Sequence, residues 1–109
     1  MNKEKLTEFA ENMCEILNIQ LALEDYGLHT NGKENINLLN EAYSEIHNLR
    51  VKRDKLNDEK TLVNESKNLL KKLYEILDKI GKEKFIFYDE GGINYDWNKN
   101  KLEGDVKNG

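Results

Sequence analysis

Residues 33 to 80 contain neither glycine nor proline, and apolar side chains recur through them every three or four positions. The two residues that most readily break a helix are absent, and the spacing is that of an apolar helix face. Such a stretch has the signature of long helices that pack against other helices.

Taking Leu39 as position a of a heptad, the d positions are Ala42, Leu49, Leu56, Val63, Leu70 and Leu77, all apolar. The a positions are Leu39, Ile46, Arg53, Lys60, Lys67 and Tyr74. The seam is therefore apolar at both ends and basic in the middle, where a two-stranded coiled coil would be weak. From Leu62 onward the apolar set widens to include Leu69, Leu73, Ile76 and Ile80. At 100° per residue its centre has rotated away from the face set by Ile36, Leu39, Tyr43, Ile46 and Leu49. A break near residues 56–61 resolves the conflict, with Asn57, Asp58 or Thr61 as the new cap. The alternative is one continuous helix, paired in a homodimer through its seam.

Upstream, Leu6, Phe9, Ala10, Met13, Ile16, Leu17 and Leu21 predict an amphipathic helix over residues 3–26. Gly27 is the expected left-handed cap, with Leu28 as its hydrophobic contact. Asn31, with Glu34 three residues on, is the expected start of the next helix near residue 33.

Gly81 closes the helical region, and the period then changes from 3.6 to 2. Residues 85–97 predict a β-hairpin turning at Gly91-Gly92, with Ile86, Tyr88, Ile93, Tyr95 and Trp97 on one face and Phe85 and Phe87 on the other. An isolated hairpin is marginal in water, so one face should rest on the helices. The expected class is thus mainly α, with an α+β ending: a long-helix hairpin or three-helix bundle followed by a C-terminal β-hairpin. Residues 1–98 form one domain in this reading, and the polar residues 99–109 form a flexible tail.

Composition sets bounds on this picture. Leu, Ile, Val and Phe make up 29 of the 109 residues, above the roughly one fifth below which a charged chain stays disordered. The net charge of −4 is concentrated in residues 1–30, which hold two lysines and six carboxylates. No whole segment is basic, which argues against nucleic acid as the main partner. The single cysteine, Cys14, excludes an internal disulfide and suits a reducing compartment. No apolar run is long enough for a membrane helix, and the charged start Asn2-Lys3-Glu4-Lys5 is unlike a secretory signal, so a cytoplasmic location is expected. Fifteen lysines and fifteen asparagines without a proline suggest an AT-rich genome of bacterial or phage type.

Residues that could carry chemistry are few. His29 and His47 have no ligand partners three or four positions further on, so neither builds a helical metal site. Cys14 stands among Glu11, Glu15 and Asn18, and neighbouring acids raise a thiol's pKa; a partly buried structural thiol is expected. Glu4, Glu8, Glu11 and Glu15 read as a solvated face. No catalytic residue, metal ligand or cofactor is expected, and the chain does not read as an enzyme. Two binding candidates remain. Phe85, Phe87, Tyr88, Tyr95 and Trp97 concentrate aromatic area in the hairpin, the residue types that anchor protein interfaces. Arg50, Lys52, Arg53 and Lys55 form one basic cluster that could meet phosphates in a dimeric DNA-associated regulator. The expectation is a small protein-binding module, an inhibitor or adaptor from a phage or other mobile element acting on a larger host protein. The regulator and a coiled-coil oligomeriser are the alternatives.

Overall fold

The computed structural model describes residues 3–55 and 58–85. Three helices run α1 (Lys3–His29), α2 (Ile36–Lys55) and α3 (Glu59–Ile80), followed by a 3-10 turn at Lys82–Lys84. The break within residues 33–80 is therefore real, and the single continuous helix is not formed. Asp58 marks the restart. Its carboxylate accepts from the Lys60 amide at 3.1 Å and from the Thr61 hydroxyl at 2.6 Å. That is an N-cap, and it needs neither glycine nor proline. The Thr61 hydrogen bond, followed by those from backbone amides, holds the Asp58 carboxyl below its ordinary pKa. The cap is thus complete above the usual aspartate range and is lost as acid protonates Asp58.

α3 is the spine of the bundle. Leu69, Leu70, Leu73, Ile76, Leu77 and Ile80 join one core with Ile16, Ile19, Leu23 and Tyr26 of α1 and Leu39, Ala42, Ile46 and Leu49 of α2. The apolar d positions Ala42, Leu49, Val63, Leu70 and Leu77 are all buried within this chain, while Arg53, Lys60 and Lys67 are exposed. A smaller cluster of Phe9, Leu62 and Val63, with Met13 against it, closes the other end of α1 on α3. Gly81 ends α3 as expected, with φ of 118° and its amide on the Leu77 carbonyl at 2.9 Å.

The α1–α2 connection differs from expectation. Helix α1 runs through Gly27 to His29, and Leu28 is 78% exposed instead of sealing a cap. The left-handed residues here are Asn31, at φ of 59°, and Gly32, at φ of 67°. The Gly32 amide donates to the Gly27 carbonyl at 2.6 Å, and the Asn31 amide to the Leu28 carbonyl at 3.2 Å. This pair is a Schellman ending with asparagine in the glycine position. Asn31 therefore closes α1 and does not open α2. Helix α2 begins three residues after Lys33, at Ile36, where the Leu39 amide donates to the Asn35 carbonyl at 3.0 Å. Asn35 is also left-handed, and its side-chain amide donates to the buried Tyr26 hydroxyl at 2.8 Å.

The expected apolar stripe of α1 merged two faces. Phe9, Ile16, Ile19, Ala22, Leu23 and Tyr26 are buried, whereas Leu6, Ala10, Leu17 and Leu21 are exposed. Cys14, expected to be partly buried, is exposed with them. The expected hairpin beyond Phe85 and the tail 99–109 lie outside the described residues. Phe85 itself is buried, its ring 5.2 Å from that of Tyr26.

Candidate functional site

Helix α1 is packed closely along α3 and only sparingly along α2. On the α3 side the contact is closed and specific. The Asn12 side-chain amide donates to the fully buried Ser66 hydroxyl at 2.9 Å, and that hydroxyl donates to the Val63 carbonyl at 2.8 Å. At the rim, Lys67 pairs with Glu8 at 2.8 Å, a hydrogen bond that draws the Glu8 carboxyl below its ordinary pKa.

On the α2 side a groove of about 510 Å³ stays open. Leu28, Ile36, Leu39, Tyr43 and Ile46 give it apolar walls, and Gln20, Glu24, His47 and Arg50 supply polar groups. Gly27 lies inside α1 at the wall. A Cβ built there would meet only Leu39 at 3.7 Å and the Tyr43 hydroxyl at 3.8 Å. The small residue thus leaves space that a side chain would occupy. Burial raises the Tyr43 phenol above its ordinary pKa, and the nearby Glu24 carboxylate adds to the effect. Tyr43 therefore offers a neutral hydroxyl near neutral pH. Arg50 ties the two helices together by donating to the Gln20 side-chain carbonyl at 2.7 Å.

The groove continues onto an exposed apolar band. Leu17 and Leu21 on α1 are 46% and 45% exposed, and Ile36 at the start of α2 is 42% exposed. Leu28 and Ile36 belong to both features. Isolated exposed leucines are ordinary, but a row at helical spacing beside an open apolar groove is a binding surface in form.

The sequence candidates are distributed differently. Of the aromatic set, Phe85 is a core residue against Tyr26; Phe87, Tyr88, Tyr95 and Trp97 lie outside the described residues. The basic cluster sits on the last part of α2. Arg50 is held by Gln20, Lys52 is paired with Glu65, and Arg53 lies 3.6 Å from Asp54. Lys55 is exposed. Elsewhere Lys72 bridges Glu45 at 2.9 Å and Glu41 at 3.5 Å, the Glu45 hydrogen bond chiefly raising its pKa. His29 Nδ1 is 2.9 Å from the Asp25 carbonyl, an ordinary contact within one helix. Among the described residues no His, Cys, Asp and Glu side chains gather as a metal-binding group, and no helix is long and apolar enough to cross a membrane.

Leu17, Leu21, Leu28, Ile36 and Tyr43 did not stand out as a surface in the sequence. The available signal was that α1 holds more apolar residues than one face can bury. No protein-family model, curated protein or solved structure matches the chain.

Proposed function

We propose that this chain is a small, non-enzymatic protein-binding module that acts by occupying surface on a larger protein, as an inhibitor or adaptor does. The observation that carries this reading is the apolar band of Leu17, Leu21, Leu28 and Ile36 opening into the α1–α2 groove. A bundle this small has little apolar area to spare, because the fraction of surface it buries on folding is limited. Leaving four large aliphatic side chains outside is consistent with their being covered by something else. Phe87, Tyr88, Tyr95 and Trp97 are retained in the proposal as further anchors on the partner.

The test is affinity capture from bacterial lysate, with and without nuclease, comparing the wild-type chain with Leu21→Glu and Ile36→Glu. Both substitutions are at exposed positions and should leave the helical circular dichroism unchanged. A discrete protein retained by the wild type after nuclease and lost from both variants supports the reading. The same retained set on all three chains would sink it. Retention that disappears with nuclease would favour the regulator that uses Arg50, Lys52, Arg53 and Lys55.

A further inference from the structure

The exposed face of α1 has its own sequence order. Cys14, Leu21 and Leu28 lie seven residues apart, and Ala10 and Leu17, again seven apart, form a second row four residues ahead of the first. All five are exposed. Two interleaved rows of this kind are the a and d rows of a helix-pairing seam. They form a face separate from Ile16, Ile19, Leu23 and Tyr26, the α1 residues of the core. From Ala10 to Leu28 the seam is about 27 Å long at 1.5 Å per residue. The length and regularity suit a second helix lying along it.

Charge decides which helix. Helix α1 carries two lysines against six carboxylates. Glu8 is matched by Lys67, and Asp25 by His29 when that ring is protonated. Glu11 beside the seam, and Glu24 at the next position of the Ala10–Leu17 row, make no ion pair among the described residues, and Glu24 accepts only the neutral Gln20 amide at 3.1 Å. A second copy of α1 would bring carboxylates against carboxylates. An anionic lipid surface or a nucleic acid would be repelled in the same way. Lysines or arginines beside an apolar stripe would meet Glu11 and Glu24 and cover the leucines together.

We propose that the segment bound by this chain is a basic amphipathic helix of the partner protein, docked along Ala10, Cys14, Leu17, Leu21 and Leu28 of α1. The inference rests on the protein-binding reading and specifies the chemistry of the partner. Small residues at Ala10 and Cys14 and large ones at Leu17, Leu21 and Leu28 predict a taper. The partner should present its bulkiest apolar side chains to the N-terminal half of the seam.

The experiment uses the full chain and two synthetic helical peptides of identical length and identical leucine seam. One has lysine at the flanking positions and the other glutamate. Binding is read by fluorescence anisotropy, and the mass of the free chain by sedimentation. The expected result is a preference for the lysine peptide on the order of tenfold or more. That preference should be lost in Glu11→Lys/Glu24→Lys, and binding itself should be lost in Leu17→Ser/Leu21→Ser. Equal binding of both peptides, or lysine-peptide binding unaffected by the serine pair, overturns the proposal. So does a wild-type dimer that Leu21→Glu converts to monomer, since the occupant would then be a second copy. Lysate capture that depends on Leu21, combined with no preference for the lysine peptide, defeats the basic helix while leaving the protein-binding reading standing.

Discussion

Helix α1 meets its two neighbours in opposite ways. Toward α3 it places fully buried Ile16, Ile19 and Leu23, and it settles a buried polar atom by pairing Asn12 with Ser66. Toward α2 it offers Gly27, the Gln20–Arg50 hydrogen bond and an open groove. One helix therefore has a closed side against α3 and a side toward α2 that is left partly open. The difference separates two kinds of apolar residue that look alike in the sequence. Leu23 and Leu21 are two positions apart; the first is fully buried and the second nearly half exposed.

The largest effect should come from the closed side. Leu73 on α3 is fully buried, and Leu73→Ala should cost about 3 kcal/mol, within the usual range for deleting a buried leucine. Ile36→Ala at the groove should cost under about 0.5 kcal/mol, as exposed substitutions do. Urea unfolding of the two variants measures the contrast directly. Similar losses would mean that Ile36 is part of the core as Leu39 and Ile46 are, and the contrast between the closed and open sides would fail.

Ser66 gives a smaller and more specific effect. It is fully buried between α1 and α3 and makes two hydrogen bonds. Ser66→Leu adds volume where none is free and should cost about 1–3 kcal/mol. Ser66→Ala loses only the polar contacts and should cost about 1 kcal/mol. An equally mild result for both would show that α1 and α3 can part slightly at this level. The α1–α3 contact would then be looser than its burial suggests.

Next in size is Gly32→Ala. Gly32 has φ of 67° and no atom within 4 Å of a Cβ built there. The cost is therefore one of backbone conformation alone, about 1 kcal/mol, because an L side chain disfavours the left-handed region. Thermal unfolding should show this loss with no change in helix content.

How much of this was legible in the sequence depended on whether the signal was local. The break at Asp58 could be read because two apolar faces in one glycine-free stretch cannot share a straight helix, and an aspartate stood ready to cap the restart. Gly81 could be read because glycine is the usual left-handed ending. The end of α1 could not be placed from residue type alone. Gly27 had the preferred residue type, but the carbonyls of Gly27 and Leu28 find their donors at Gly32 and Asn31, so the helix stops at His29. The exposed apolar face of α1 could not be read for a different reason. Apolar residues occupy most of its circumference, and periodicity does not say which of them another helix will cover. Only the position of α3 separates Ile16, Ile19 and Leu23 from Leu17 and Leu21. The groove depends on how far α2 stands from α1, which no residue pattern specifies.

The smallest predicted effect has the opposite sign and probes the open side most directly. Gly27 is helical, with its φ in the ordinary range, and a Cβ there would make normal contacts with Leu39 and Tyr43. Glycine is a poor helix residue, so Gly27→Ala should stabilise the chain by about 0.5–1 kcal/mol, less whatever the helix end forgives. Gly27→Leu should fold as well but fill the groove between Leu39 and Tyr43, and partner capture should fall. Both outcomes follow only if α1 and α2 stand apart in solution. If Gly27→Ala is destabilising, the two helices close on one another at this point. Glycine would then be required for their approach, and the groove would not be available to a partner. Stabilisation by alanine together with loss of capture by leucine would place the groove outside the folding core and inside the binding surface.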